Sequence, residues 1–174
     1  MKINAVTVLT SEIKNNLEKL PFANFFKVNP VLVPTPNSSL TKADTLWVPQ
    51  RLATALVNNG LGKKVSSCLQ REKPLRTFHT NADRPKAHEH YNSMSVQKEL
   101  SEPDEILLID DFITKGATFI GAANKLADAY PTANIRAFAG IKTISKPEKF
   151  RKIYDPCIGK IKIVGEETYN DCIE

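Results

Sequence analysis

Residues 106–118, Ile106-Leu107-Leu108-Ile109-Asp110-Asp111-Phe112-Ile113-Thr114-Lys115-Gly116-Ala117-Thr118, run four apolar side chains into two adjacent carboxylates and then a small-residue turn. A short apolar run bounded by Pro103 and polar residues reads as a strand over 105–110 buried on both faces. Residues 117–130 read as the helix that follows it. The loop between them, 114–118, offers backbone N–H groups at a helix N-terminus, a glycine that lets a ligand approach the backbone, and hydroxyls that donate to phosphate oxygens. Asp110 and Asp111 then stand at the carboxyl end of the strand, where open α/β sheets bind ligands. Capping of the next helix would account for each residue separately but not for their joint order. The chain has neither GxGxxG after a strand nor GxxxxGK[ST], so the loop is not of the dinucleotide or P-loop kind.

Outward from this stretch, strands alternate with helices. Residues 3–9 alternate and favour β-branched types, which predicts a strand, with Thr10 or Ser11 capping a helix that carries Ile13, Leu17 and Leu20 and stops at Pro21. Residues 22–26 form an apolar-aromatic hood or connector. Val31-Leu32-Val33 predicts a strand leading into a turn-forming loop, 34–39. A helix over 42–59 has Pro49 in it or at its start and ends at Asn59-Gly60. Residues 65–69 predict a strand, 134–142 another and 158–164 the last, with a short helical or irregular segment over 147–154. Residues 70–100 are charged and aperiodic and read as a flexible lid loop, since long loops inside compact domains are usually functional. The expectation is an α/β chain, one domain over 1–174, with a mostly parallel central sheet flanked by helices and a small hood or lid.

With 41% hydrophobic and 25% charged residues in 174, the composition is that of a soluble globular protein. No apolar stretch approaches a membrane span. The opening MKINAVTVLTSEIK lacks the core and cleavage site of a signal peptide, so a cytoplasmic location is expected. Cys68, Cys157 and Cys172 are odd in number and widely spaced, which argues against a disulfide framework; Cys68 reads as core. The formal charge of +5 concentrates in 63–98 and 142–162 and suits a polyanionic small molecule, a nucleic acid or a solvated face.

The 106–118 run resembles the phosphoribosyl-pyrophosphate (PRPP) motif of the type I phosphoribosyltransferases. The resemblance implies that Asp110 and Asp111 hold the ribose hydroxyls and Mg²⁺ and are the catalytic carboxylates, orienting the ribose and stabilising its positive charge, and that Thr114, Lys115, Gly116, Ala117 and Thr118 hold the 5-phosphate. Phe112, bulkier than the usual small aliphatic, is expected to face the sheet packing, and Lys115 replaces a frequent Thr or Ser. The order of parts over 30–145 is similar to the ComF-like branch of the family. The match places a pyrophosphate loop at 33–39, with Thr35, Asn37 and Ser38 as its contacts. Relatives usually carry arginines after the second proline, whereas this chain has no cation there until Lys42. Mg²⁺, Lys42 or the basic 70–90 segment must therefore neutralise pyrophosphate, with Arg71 and Arg76 first among its cations. Thr114 stands where 6-oxopurine salvage members often have an aspartate, which argues against hypoxanthine or guanine as acceptor.

His88-Glu89-His90 has no evident further ligand and reads as exposed loop rather than as a metal site. Tyr91 is expected to pack on a neighbouring helix. The resemblance implies a pentosyltransferase that binds PRPP and Mg²⁺, with a homo-oligomer left open. Two other classes stay open: a non-catalytic PRPP or nucleotide sensor, and an accessory protein of DNA uptake, DNA metabolism or bacterial defence that contacts nucleic acid through the basic surface.

Overall fold

In the computed structural model, residues 5–38, 46–75, 84–143 and 155–172 are described. The apolar run of 106–109 lies in a nine-residue strand of a four-stranded parallel sheet. The sheet is built from β1 (Val31–Pro34), β2 (Lys64–Val65), β5 (Glu105–Ile113) and β6 (Asn134–Lys142), in the order β2-β1-β5-β6. Side-chain alternation divides β5 between two cores. Ile106 and Leu108 pack with Phe119, Ala122 and Leu126 of α5 (Ala117–Ala129) on one face. Leu107 and Ile109 pack on the other with Leu52 and Leu56 of α3 (Val48–Asn58), Ile13 of α1 (Ala5–Asn16) and Phe26 of α2 (Ala23–Lys27). All four residues of the run are essentially inaccessible, each contributing about 1.5–3 kcal/mol of burial. The chain is therefore α/β, with a parallel central sheet and helices on both faces. No helix among the described residues is long and apolar enough to cross a membrane.

Helix α1 replaces the strand expected over 3–9 for its described part, and residues 1–4 lie outside the described residues. Val6, Leu9 and Ile13 also satisfy a helical stripe, and packing of that stripe against the second core overrides the β-branched composition. Thr10 caps nothing. It is buried in mid-helix, its hydroxyl donating to the Val6 carbonyl at 3.0 Å. After a 3-10 turn (Leu17–Lys19) and Pro21, the 22–26 stretch forms core rather than hood: Phe22 and Phe26 meet Phe138 edge-on at 5.4 and 5.3 Å between ring centroids.

Helix α3 starts later than expected, with Pro49 in its first turn, and ends at Asn59-Gly60, where Gly60 takes φ +74°. The single strand expected at 65–69 is two strands in different sheets. β2 ends at Val65, and β3 (Leu69–Arg71) pairs antiparallel with β4 (Met94–Val96). The described part of 70–100 thus carries regular elements, with α4 (Ala87–Asn92) between these two strands and 76–83 outside the described residues. Helix α4 packs on α5 at Gly121, where an added Cβ would lie 2.6 Å from the Cβ of His90. Tyr91 packs as expected, its hydroxyl on Asp128 at 2.5 Å and Lys125 over its ring.

The last expected strand is β7 (Gly159–Val164), but it pairs with an unforeseen β8 (Glu167–Cys172) in a separate hairpin instead of joining the central sheet. Cys68 is a buried free thiol, as expected. Cys157 is disulfide-bonded, which corrects the reading of the cysteines: three can supply one bridge and one thiol. The segment expected over 147–154 lies outside the described residues.

Candidate functional site

The sheet order reverses between β1 and β5. β1 leads onward to α3 on one face and β5 to α5 on the other, which opens a crevice at the carboxyl ends of these strands. Asp110 and Asp111 stand at that point. The β1–β5 register ends at Pro34↔Ile109, and one further bond, from Thr35 N–H to the Ile109 carbonyl at 2.9 Å, sets Thr35 beside Asp110. Beyond it β5 continues to Ile113 along β6 alone, three residues past the expected strand end.

Two cavities meet there. The larger, of about 690 Å³, is lined by Asp110, by Thr114, Lys115, Gly116, Ala117 and Thr118, by Arg84 and Lys86, and by Glu166, Glu167 and Thr168 of the hairpin. The smaller, of about 220 Å³, is lined by Asp110, Asp111, Thr35, Pro36, Asn37 and Arg71. Ser38, His90, Asp110 and Thr118 belong to both. Of the site residues read from sequence, Arg76 lies outside the described residues, as do Ser39 and Lys42. The others all line one cavity or both.

Both carboxylates line the smaller cavity. Burial first, and then the hydrogen bond with Asp111, push the Asp110 carboxyl up to about 7, against the Thr35 hydroxyl, which favours the charged form. The Asp111 backbone N–H donates to Asp110 Oδ1 at 2.9 Å. A carboxyl poised near neutrality beside a second one is prepared to lose its proton to an arriving cation. Among the described residues no cluster of three or more His, Cys, Asp or Glu side chains could enclose a metal ion. Two carboxylates open to a cavity do suit a hard cation that keeps water and ligand oxygens, as Mg²⁺ does.

Loop 114–118 turns through Gly116 at φ +91°, the left-handed region that glycine enters without strain. Ile161 of β7 covers it, so a Cβ at Gly116 would lie 2.7 Å from the Ile161 side chain. The hairpin is tied down by charge as well. Glu167 pairs with Lys115 at 3.0 Å, and Glu166 with Lys86 at 2.5 Å. Phe112 does not face the sheet packing. It is 47% exposed and lines the larger cavity, since β5 has lost its β1 neighbour at that level.

Loop 35–38 is held from behind. Arg71, 8% exposed, donates from Nε to the Asn37 carbonyl at 2.9 Å, from Nη2 to the Pro36 carbonyl at 3.4 Å, and from Nη1 to Ser93 Oγ. Burial lowers its guanidinium to about 10, so it remains charged at neutral pH, and among the described residues no carboxylate pairs with it. Trp47 Nε1 donates to the Thr35 carbonyl at 2.8 Å, and the Leu75 N–H to the Ser38 carbonyl at 3.0 Å.

The sequence reading missed Glu166, Glu167 and Thr168 of the hairpin and, on the wall common to both cavities, His90. It is buried on α4 rather than exposed in a loop, while its neighbour His88 points outward. The one available signal was helical spacing: Ala87, His90 and Tyr91 lie on one face when 87–92 is a helix. No family model matches this chain, and no curated protein matches it.

Proposed function

We propose that the chain binds PRPP with Mg²⁺ and transfers the phosphoribosyl group to an acceptor, as a phosphoribosyltransferase of the type I fold. The observation that carries this reading is the place of Asp110. It stands on the wall common to two abutting cavities, one formed around an N–H-rich helix-start loop and the other around loop 35–38 with a buried cation behind it. A ligand with a monophosphate on one side of a diol and a diphosphate on the other has that shape.

In this reading the ribose hydroxyls donate to Asp110 and Asp111, and the 5-phosphate takes the backbone N–H groups and hydroxyls of 114–118. The pyrophosphate lies against loop 35–38. Arg71 supplies positive potential to it through the loop, in place of the arginines usual after the second proline. Asp110 and Asp111 would hold Mg²⁺ together with ligand oxygens and water, and the ion would neutralise the leaving group. In the transfer, the bond from C1 to pyrophosphate breaks and its electron pair leaves with pyrophosphate. A lone pair of the acceptor forms the new bond to C1, and the acceptor gives up a proton to solvent. Negative charge on the aspartates favours the oxocarbenium-like state between these events.

Calorimetric titration with PRPP and Mg²⁺ tests the binding. Wild type binds, and Asp110→Asn with Asp111→Asn abolishes it while the circular dichroism stays native. Undiminished affinity in the double variant removes the reading. A pyrophosphate-release screen across nucleobases and small amines then tests transfer. Tight binding without release over long incubation makes the chain a PRPP sensor instead.

A further inference from the structure

His90 is a buried titratable side chain that the reading above does not use. It is 7% exposed and stands on the wall common to the two cavities. Its Nε2 lies 3.5 Å from Thr118 Oγ1, the long end of hydrogen-bond distance, and its Nδ1 is buried without a hydrogen-bond partner among the described residues. Its backbone is pinned on two sides: the His90 carbonyl accepts from Ser93 Oγ at 2.9 Å, and its Cβ sits against Gly121.

The ring is neutral, because burial, and then the nearby Arg71 charge, hold it down at about 4. One nitrogen of a neutral imidazole donates and the other accepts. A buried N–H with nothing to donate to is the costlier orphan, so the unpartnered Nδ1 is the lone-pair nitrogen and the proton belongs on Nε2. Nε2–H then donates to Thr118 Oγ1. The threonine hydroxyl, already accepting, turns its own proton toward the cavity.

We infer that His90 is a positioning residue that makes Thr118 a dedicated donor, suited to an oxygen of a fully deprotonated phosphate monoester and unsuited to a ligand group that must itself donate there. The inference rests on the proposed function for the identity of the larger ligand, but only on the phosphate for its chemistry. Contacts of this kind tighten when the ligand arrives, which accords with the long distance in the ligand-free chain.

Two measurements on the full chain test it. Long-range ¹H–¹⁵N correlation spectra report histidine tautomers, and the signal lost in His90→Gln is that of residue 90. The expected pattern is the neutral, Nε2-protonated form; an Nδ1-protonated or imidazolium pattern overturns the inference. Calorimetry with inorganic phosphate and with ribose 5-phosphate gives the second readout. His90→Leu is expected to lose roughly tenfold in affinity, about the worth of one hydrogen bond to a charged ligand. His90→Gln, which returns an N–H near the Nε2 position, is expected to stay within about threefold of wild type. In Thr118→Val the further change His90→Leu should cost nothing more. Unchanged affinity in His90→Leu, or equal losses in the Gln and Leu variants at wild-type melting temperature, overturns the inference alone. Phosphate binding that depends on His90 while PRPP fails to bind overturns the phosphoribosyl reading alone. No binding of either probe by wild type overturns both.

Discussion

Arg71 Nε donates to the Asn37 carbonyl at 2.9 Å, so the cation of one sheet, on β3, shapes a loop that ends a strand of another. Arg71→Met leaves the carbonyls of Pro36 and Asn37 without their donor and removes the charge behind the smaller cavity. The expected result is a loss of about 1–3 kcal/mol in urea unfolding, together with at least a tenfold loss in pyrophosphate affinity by calorimetry. Arg71→Lys keeps the charge but not the fork, and should recover part of the affinity with less of the stability. Pyrophosphate affinity equal to wild type in Arg71→Met would remove Arg71 from the site.

The Asp110 carboxyl titrates near 7, above its ordinary value of 3.8. The folded chain therefore binds more protons than the unfolded chain between these values. The stabilisation from the protonated form is complete below about pH 4 and is lost as pH rises through about 7. Asp110→Asn escapes the loss, so its melting temperature should exceed that of wild type at pH 8 and the difference should close toward pH 4. At 1.36 kcal/mol per pH unit, the gain is capped at about 4 kcal/mol. A difference that does not vary with pH would show that the carboxyl is not raised.

Because a cation competes with that proton, Mg²⁺ affinity should climb with pH through the same window. Calorimetry at pH 6 and pH 8 checks this. The gain should be absent in Asp110→Asn, whereas equal affinity at both pH values in wild type would place the ion elsewhere.

Gly116 takes a left-handed conformation directly beneath Ile161. Gly116→Ala should cost at least about 1–2 kcal/mol from the backbone alone, with the clash added. Ile161→Ala in the same chain relieves the clash but not the backbone strain. A double-mutant cycle in urea should therefore show positive coupling and incomplete rescue. Additive losses would mean that the hairpin does not bear on the loop.

Glu167 holds Lys115, a cation of the same loop, at 3.0 Å. Both side chains are about half exposed, so Glu167→Gln should leave the urea midpoint nearly unchanged. It should nevertheless raise phosphate affinity several-fold at low salt, because Lys115 no longer shares its charge, and the gain should fade as ionic strength rises. A salt-independent change would point to packing of the hairpin instead.

What the sequence determined by itself is what local chemistry dictates: an apolar run too short for a helix, carboxylates at its end, a glycine turn and a helix start, all within thirteen consecutive residues. The strand at 31–33, α5 and β6 were legible for the same reason, since period and punctuation agree there. Tertiary structure decided the rest. Residues 3–9 alternate as a strand would, whereas Val6, Leu9 and Ile13 form a helical stripe, and only the core formed with α3 and β6 selects the stripe. Residues 64–71 became two strands because Val65 meets Leu32 whereas Leu69 meets Val96, pairings between segments far apart in the chain. In the site, adjacency along the chain announced Asp110, Asp111 and the loop. The inward turn of Arg71, the burial of His90 against Thr118 and the seat of Ile161 on Gly116 come from contacts 28 to 45 residues apart, which no local pattern encodes.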